Sequence, residues 1–332
     1  MASLAFFELE NWEEKIVKQR LAGHKLQFFS RPLSKSNVNK VRNVNGIAVF
    51  IYSKVTEALL QKLPKLKFIA TMSTGFDHVD LAACRKRGII VSNVPYYGEN
   101  TVAEHTFALI LAFSRKLIES AERTRRGNFS PHGLCGFDIK GKTIGVIGTG
   151  HIGMHVLRMA RGFEMRMLAY DVKKDVAGSK RLGFKYVSLD TLLKKSDFVT
   201  LHCPYNKQTH HMINNNNIRK MKKDAYLINT ARGGLVETEA LLNALNSGRL
   251  AGAGIDVLEE ESAIKEEKQL LAKRFIPNLR TVLENHILLG NENVIITPHN
   301  AFNSIEALNR ILNTTIDNVS AYLRKKPVNI VK

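Results

Sequence analysis

The sequence predicts an α/β protein with two parallel sheets, each wound with helices on both faces. Short, continuous apolar runs such as GIAVFIY at 46 to 52 and FVTLHCP at 198 to 204 are typical of strands buried on both sides. Helical patterns alternate with these runs, which favours parallel strands joined by right-handed crossovers. Because 332 residues are too many for one typical core, we expect two domains.

In the first part of the chain, five apolar runs predict strands, with helices near 12 to 21 and 57 to 63 between them. The runs cover residues 2 to 7, 26 to 29, 46 to 52, 66 to 72 and 89 to 94. Residues 100 to 126 then form one long and mostly apolar helical pattern. Its opening is too apolar for a surface helix, so we expect a turn buried at a domain or subunit interface.

A second series of runs predicts the second sheet. Its strands cover residues 143 to 147, 165 to 170, 198 to 204, 225 to 231, 252 to 257 and 294 to 298, with helices at 189 to 195, 218 to 221 and 239 to 245. A charged amphipathic insertion at 262 to 290 is predicted to be helical. The last helical pattern, at 304 to 323, is expected to return to the first domain.

The stretch from 142 to 172 organises the chain, because it reads as strand, glycine turn, helix and second strand. In GTGHIG, Gly148 permits the tight turn, Gly150 lets the backbone approach a pyrophosphate, and Gly153 lets the helix pack on the strand. The helix N-terminus offers N–H groups and a positive dipole end to phosphates. Asp171, at the end of the second strand, is placed to bind ribose hydroxyls. These features predict dinucleotide binding; the alternative is a turn needed only for packing.

Composition limits the remaining classes of function. The chain has 49 Lys and Arg against 30 Asp and Glu, a net charge of +19. Such a surface attracts anions, including a dinucleotide, a carboxylate substrate or, nonspecifically, nucleic acid. No nucleic-acid-reading motif accompanies the charge, so we favour a solvated basic face and expect no specific nucleic-acid partner.

The chain also lacks the usual signs of a membrane, secreted or metal-binding protein. No apolar run is long enough to span a bilayer, and residues 1 to 16 do not resemble a secretory signal. Cys84, Cys135 and Cys203 are odd in number and far apart, which indicates neither a disulfide framework nor a zinc site. We therefore expect a cytoplasmic protein without a membrane partner or metal ion.

Four polar residues follow predicted strands at their carboxyl ends, where working residues of open α/β sheets collect. They are Arg232, Asp256, Glu261 and His299. Together they supply what the reduction of a 2-oxo acid requires: a guanidinium for the carboxylate or carbonyl, an imidazole to transfer a proton, and a carboxylate to orient it. Each also has an ordinary structural reading, as a surface salt bridge, a satisfied histidine or a solvated acid.

Five motifs in this order resemble the D-isomer-specific 2-hydroxyacid dehydrogenases, over nearly the whole chain. They are GTGHIG with Asp171, LHCPYNKQTHHMIN, LINTARGGLVE, DVLEEE and ITPHNA. Tyr97 within NVPYYGENTVAEHTFALIL, and the insertion at 262 to 290, are similar to the D-lactate dehydrogenase branch. Asn300 and Asn303 depart from that branch, which has apolar or aromatic residues there, and this leaves the preferred substrate side chain open.

The resemblance implies a discontinuous, flavodoxin-like substrate domain of residues 1–99 plus 300–332 and a Rossmann NAD-binding domain of residues 100–299. The active site is expected in the cleft between them, and the protein is expected to be a homodimer. NADH is favoured over NADPH, because Asp171 would repel a 2′-phosphate although Lys173 and Lys174 follow it.

The resemblance also implies roles for individual residues. Arg232 would bind the substrate, His299 would donate the proton, and Glu261 would hydrogen-bond the imidazole. Thr74, Gly75 and Tyr97 would complete the substrate pocket, whereas His105 is expected to be structural. The residues expected to bind the cofactor are Gly148, Gly150, His151, Ile152, Gly153, Asp171, Cys203, Pro204, Thr209, Thr230, Ala231 and Asp256.

The expected activity is NADH-dependent reduction of pyruvate, or a similar 2-oxo acid, to the D-2-hydroxy acid. The nearest alternative is a glyoxylate, hydroxypyruvate or branched 2-oxo acid reductase. A different class of function is a regulatory protein that senses NADH. The combination of Arg232, Glu261 and His299 speaks against a sensor, since sensing does not require proton transfer.

Overall fold

The computed structural model describes residues 1–261 and 279–331. The chain divides into two compact units, which we call unit 1 (Met1–Tyr97 with Ser304–Lys332) and unit 2 (Gly98–Asn303). The boundaries lie a few residues from the positions expected from the sequence, at 99 to 100 and 299 to 300.

The helices and strands alternate in each unit. Their bounds are β1 (Ser3–Phe7), α1 (Asn11–Arg20), β2 (Lys25–Phe29), β3 (Gly46–Val49), α2 (Glu57–Leu60), β4 (Phe68–Thr71), α3 (Leu81–Lys86), β5 (Ile90–Ser92), α4 (Glu99–Ser114), α5 (Leu117–Arg125), β6 (Thr143–Ile147), α6 (His151–Gly162), β7 (Arg166–Tyr170), α7 (Val176–Leu182), β8 (Lys185–Tyr186), α8 (Leu189–Lys195), β9 (Phe198–Leu201), β10 (Ala225–Asn229), α9 (Thr238–Asn246), β11 (Leu250–Ile255), α10 (Leu279–Leu289), β12 (Val294–Ile296) and α11 (Ile305–Leu323).

Unit 1 is built on a parallel sheet whose described strands run in the order β2-β1-β3-β4-β5. This is the flavodoxin-like order of a doubly wound sheet. The side chains of β3 and β4 are buried throughout, as expected for strands covered on both faces. The chain returns to this unit through α11, where Tyr322 stacks on Phe68 of β4 with ring centroids 4.4 Å apart.

Unit 2 is built on a parallel sheet whose described strands run in the order β12-β11-β10-β9-β6-β7-β8. Its central part has the Rossmann order, in which the strand sequence reverses at the boundary between β6 and β9. Buried side chains form clusters on the two faces of the sheet. The predicted fold class, two doubly wound parallel sheets, is therefore confirmed.

The prediction of a single helix at 100 to 126 is wrong, because the helix is interrupted between α4 and α5. Lys116 has φ +46, a left-handed conformation that stops the helix. Ser114 is the last residue of α4, and its carbonyl oxygen accepts a hydrogen bond from Phe137 N at 2.8 Å. The downstream segment therefore caps the end of α4.

The apolar character of α4 is explained within unit 2. Ala103, Phe107, Leu109 and Ile110 belong to the same buried cluster as Val156 of α6. The helix is therefore apolar because it packs in the core of this unit, and its composition gives no support for a subunit interface.

Other differences from the sequence analysis are local. The predicted helix at 218 to 221 is one 3-10 turn, Ile218–Lys220. Helices α3 and α7 and the short strand β8 were not predicted, since each is too short for a clear periodicity. Of the predicted insertion at 262 to 290, the part at 262 to 278 lies outside the described residues, and α10 confirms the helix in the remainder.

None of the described helices combines the length and apolar character needed to cross a bilayer. Within residues 1–261 and 279–331, no group of three or more His, Cys, Asp and Glu side chains is arranged to hold a metal ion.

Gly145 of β6 tests the packing that supports the sheet of unit 2. A Cβ at this position would lie 2.3 Å from Ser196 Oγ and 2.4 Å from Leu192 Cδ2. Gly145→Ala should therefore push α8 from the sheet and lower the free energy of unfolding by about 1–3 kcal/mol. Urea unfolding followed by circular dichroism measures this, with Gly162→Ala as control because nothing lies within 4 Å of its added Cβ. Equal stability of the two variants would contradict the packing described.

Candidate functional site

The predicted site residues of unit 2 lie along the carboxyl edge of its sheet. The glycine turn follows β6, Asp171 follows β7, and Cys203 comes shortly after β9. Arg232 lies shortly after β10, Asp256 follows β11, and His299 comes shortly after β12. Since the strands are parallel, their carboxyl ends share one edge of the sheet, where ligands of open α/β sheets bind.

The glycine turn requires glycine at two of its positions. Gly148 has φ +94, and a Cβ there would lie 2.7 Å from the backbone of His202 and Cys203. A Cβ on Gly153 would lie 2.0 Å from Gly148 O. The turn therefore packs tightly on the segment after β9 and on its own helix, where the strand order reverses.

Gly150 differs from these two glycines, because no atom lies within 4 Å of a Cβ built on it. It caps α6, whose first intrahelical bond runs from Met154 N to Gly150 O at 2.9 Å. The N–H groups of His151, Ile152 and Gly153 precede that bond and lie outside the helix ladder. An open backbone surface at a helix N-terminus fits a pyrophosphate, as dinucleotide binding at this turn requires.

Asp171 is held by the turn it faces. Its Oδ2 accepts hydrogen bonds from Thr149 N at 2.6 Å and Thr149 Oγ1 at 3.1 Å, and its Oδ1 accepts from Lys173 N at 2.8 Å. Thr149 Oγ1 also contacts Tyr186 OH at 2.8 Å. A carboxylate has roughly four acceptor positions, so the half-buried Asp171 keeps capacity for a ribose hydroxyl.

The segment after β9 folds back on itself. Thr209 Oγ1 donates to Pro204 O at 2.7 Å, which closes the loop that begins at Cys203. Burial raises the pKa of the Cys203 thiol to about 11, so the thiol stays protonated at neutral pH. Burial lowers the pKa of His202 to about 3, so its imidazole, which contacts Thr200 Oγ1 at 2.8 Å, is neutral.

The segment after β10 carries Arg232 on a supported backbone. Asn229 Oδ1 accepts from Ala231 N at 3.1 Å, and Asn229 Nδ2 donates to Arg232 O at 2.9 Å. The Arg232 guanidinium donates to Ala231 O at 2.7 Å. Thr230 Oγ1 lies 3.0 Å from Thr106 Oγ1 of α4. Both ends of this loop are therefore tied to the core of unit 2.

Asp256 is buried, with 2% of its surface exposed, and its carboxylate holds the segment that carries His299. It accepts hydrogen bonds from Thr297 Oγ1 at 2.5 Å, Asn300 N at 3.0 Å and Ala301 N at 3.0 Å. His299 N donates to Asp256 O at 2.9 Å. These bonds maintain His299 at φ +55, a strained conformation for a residue other than glycine.

His299 and Glu261 are in direct contact. His299 Nδ1 lies 2.9 Å from Glu261 Oε2, and the two side chains are 20% and 21% exposed. Because a carboxylate only accepts, Nδ1–H is the donor. This leaves Nε2 as the ring nitrogen that can pass a proton to a bound molecule.

Thr74, Gly75 and Tyr97 belong to unit 1, and its hydrogen bonds connect their segments. Thr74 Oγ1 donates to Val94 O at 2.8 Å, and Thr74 O accepts from Asn93 Nδ2 at 2.8 Å. The loop after β4 is therefore bound to the segment that leads to Tyr97.

Thr297, which was not predicted from the sequence, connects His105 to Asp256. His105 Nε2 lies 3.0 Å from Thr297 Oγ1. Since the hydroxyl donates its one proton to Asp256, it must accept from His105, which places a proton on His105 Nε2. The position of Thr297 just beyond β12, two residues before His299, was the signal available in the sequence.

The chain is similar to known dehydrogenases and reductases. The family model for D-isomer specific 2-hydroxyacid dehydrogenase, NAD binding domain, matches residues 107–301. The D-lactate dehydrogenase of Escherichia coli (strain K12) is 34% identical over 96% of this chain and 95% of its own length. The glyoxylate reductase of Thermofilum pendens is 38% identical over 88% of this chain and 82% of its own.

A solved structure matches both units. The D-lactate dehydrogenase from Aquifex aeolicus, complexed with NAD and lactic acid, has a TM-score of 0.88 and 40% sequence identity, covering 98% of this chain and 96% of that chain. The chain therefore belongs to the D-isomer-specific 2-hydroxyacid dehydrogenase family and is an NAD-dependent 2-hydroxyacid dehydrogenase.

Proposed function

We propose that the protein reduces pyruvate, or a similar 2-oxo acid, to the D-2-hydroxy acid with NADH. The contact between His299 Nδ1 and Glu261 Oε2 carries this proposal, since it leaves an oriented imidazole able to supply a proton. The relatives named D-lactate dehydrogenase, one with NAD and lactic acid bound, favour a small 2-oxo acid. Following the resemblance, we also propose a cytoplasmic homodimer.

His299 is the proposed proton donor. Bound NADH supplies the hydride that reduces the oxo carbon. As negative charge develops on the oxo oxygen, His299 Nε2 gives that oxygen a proton. Glu261 holds the ring through Nδ1 and stabilises its cationic form before transfer.

Arg232 is the proposed substrate-binding cation. A guanidinium binds a carboxylate through two parallel N–H bonds and stabilises charge developing on a carbonyl oxygen. Substrate binding would exchange its present bond to Ala231 O for bonds to the oxo acid. In unit 1, Thr74 and Gly75 are proposed to bind the substrate carboxylate, with Tyr97 beside them.

The cofactor residues are proposed along the carboxyl edge of unit 2. The turn of Gly148, Gly150, His151, Ile152 and Gly153 would hold the pyrophosphate, and Asp171 the adenosine ribose. Cys203, Pro204 and Thr209 would line the adenosine side, and Thr230, Ala231 and Asp256 the nicotinamide side. We propose NADH over NADPH, because Asp171 would repel a 2′-phosphate.

Asn300 favours a second candidate substrate. It follows His299 directly, and its Oδ1 is buried without a hydrogen-bond partner among the described residues. A substrate hydroxyl could satisfy this acceptor, which favours hydroxypyruvate over an apolar oxo acid.

A substrate panel distinguishes the candidates. Rates of NADH oxidation with pyruvate, hydroxypyruvate, glyoxylate, phenylpyruvate and 2-oxoisocaproate should give the highest kcat/KM for pyruvate. Asn300→Ala should leave the pyruvate rate nearly unchanged and lower any rate with hydroxypyruvate, because only the latter carries a hydroxyl donor. A higher kcat/KM for hydroxypyruvate in the unchanged protein would reverse the order of the two proposals.

Replacement of the two proposed catalytic side chains tests the chemistry. His299→Ala should lower kcat by about 10²- to 10⁴-fold through loss of proton transfer. Arg232→Ala should lower kcat/KM for the oxo acid by about 10²- to 10³-fold through loss of charge stabilisation. In both variants the NADH dissociation constant, measured by fluorescence, should stay unchanged.

Matched controls are available for both changes. His132 is exposed, and Arg161 is an exposed arginine that also donates to a main-chain oxygen, Arg181 O at 2.9 Å. His132→Ala and Arg161→Ala should keep full turnover. Full turnover in His299→Ala or Arg232→Ala would refute the corresponding role.

Gly150 tests the cofactor site separately from folding. Because the space around its added Cβ is open, Gly150→Ala should keep the thermal midpoint of the protein. The methyl group would occupy the surface proposed for the pyrophosphate, so NADH should bind at least about tenfold more weakly. Gly162→Ala, also open to solvent, should bind NADH normally. Unaltered NADH affinity in Gly150→Ala would place the cofactor elsewhere.

A further inference from the structure

A second pair of Glu and His side chains lies two residues before Glu261. Glu259 Oε1 lies 2.7 Å from His211 Nε2, and Glu259 Oε2 accepts from Thr238 Oγ1 at 2.8 Å. The main-chain oxygen of Glu259 accepts from Asn285 Nδ2 at 2.7 Å, and Asn285 is fully buried. The Glu259 side chain is only 17% exposed. Glu259 is therefore bound at both carboxylate oxygens and at its backbone.

His211 is held as firmly as its partner. Its N donates to Gly234 O at 2.9 Å, and its O accepts from Asn214 Nδ2 at 2.9 Å. Its ring stacks on His210 with centroids 3.8 Å apart. Its φ of +49 is strained for a histidine and persists only where surrounding contacts fix it.

Gly233 completes a closed set of contacts between these segments. A Cβ on Gly233 would lie 2.2 Å from Leu258 C and O and 2.3 Å from Glu259 N. The backbone at 258 to 259 therefore lies directly on Gly233, while Gly234 O binds His211 and His211 binds Glu259. We call this closed set of contacts among His211, Gly233, Gly234 and Glu259 the Glu259 clamp.

The clamp ends at Glu259, two residues before Glu261 of the proposed proton relay. Glu260, at φ +53, turns the chain sharply between Glu259 and Glu261. Glu261 then reaches His299 at 2.9 Å. Arg232 O and Ala231 N are bound separately by Asn229. Loss of the contact between Glu259 and His211 would therefore loosen the backbone that leads to Glu261. It would have less effect on the backbone of Arg232, which Asn229 holds separately.

We propose that Glu259 and His211 are positioning residues that hold Glu261 on His299. They act on the rate of proton transfer and have little effect on binding of the oxo acid or the cofactor. This inference rests on the proposed roles of Glu261 and His299. The rate of proton transfer falls steeply when the transferring groups are misplaced, and a displacement near 1 Å lowers the rate by about 10²-fold.

A double-mutant cycle separates positioning from general stability. Glu259→Ala should lower kcat by about 10- to 100-fold, while the KM for the oxo acid and the NADH dissociation constant stay within about twofold. If Glu259 acts through Glu261, Glu259→Ala combined with Glu261→Ala should be no slower than Glu261→Ala alone. A purely structural role would instead give two losses that multiply.

Conservative and neighbouring variants complete the experiment. Glu259→Gln keeps the shape and can still bond to Thr238 and His211, so it should retain most of the turnover. Glu260→Gln makes the same charge change one residue away and should keep full turnover. His211→Gln should lower kcat in the same direction as Glu259→Ala, and it remains informative if Glu259→Ala does not fold.

The outcomes distinguish this inference from the function on which it rests. Normal kcat in both Glu259→Ala and His211→Gln, or losses that multiply in the double variant, would overturn the positioning role. Full turnover in Glu261→Ala would overturn the relay itself. A reduced kcat in Glu261→Ala with normal kcat in both Glu259→Ala and His211→Gln would support the proposed function and exclude a role of the clamp in it.

Discussion

The candidate site depends on the hydrogen bonds that the buried carboxylate of Asp256 accepts. Moving a carboxylate out of water is costly unless hydrogen bonds replace its hydration. Here the segment that follows β12 provides them, through Thr297, Asn300 and Ala301. The same bonds bend the chain so that His299 takes its left-handed conformation. The same hydrogen bonds therefore stabilise the Asp256 carboxylate and orient the His299 imidazole.

Left-handed residues other than glycine recur around this site. His211, Glu260 and His299 have φ values of +49, +53 and +55. Each conformation is unfavourable by itself, and at His211 and His299 main-chain and side-chain hydrogen bonds hold it in place. The parallel sheet helps to maintain these unfavourable conformations, because its buried strands fix the points at which the short segments begin. The strands therefore fix the positions of these segments at the carboxyl edge, and the segments carry the side chains proposed to be catalytic.

The sequence predicts well what depends on local pattern. The strand, turn and helix around GTGHIG follow from apolar spacing and glycine positions, and the strand order agrees with the α/β alternation. It predicts poorly what depends on a single backbone angle or on distant partners. The break at Lys116 has no glycine or proline to mark it. Nothing in DVLEEE distinguishes Glu259, because its partners His211, Thr238 and Asn285 come from three other segments.

The end of α4 has a consequence for the order in which unit 2 can assemble. The Ser114 carbonyl oxygen accepts from Phe137, and a Cβ on Gly136 would lie 2.1 Å from the same oxygen. Phe137 also lies beside Tyr226, with ring centroids 5.7 Å apart. Joining Ser114 to Phe137 closes a loop of about 23 residues, whose entropic cost is modest. We therefore expect the end of α4 to join Phe137 before Phe137 packs beside Tyr226, which lies much further along the chain.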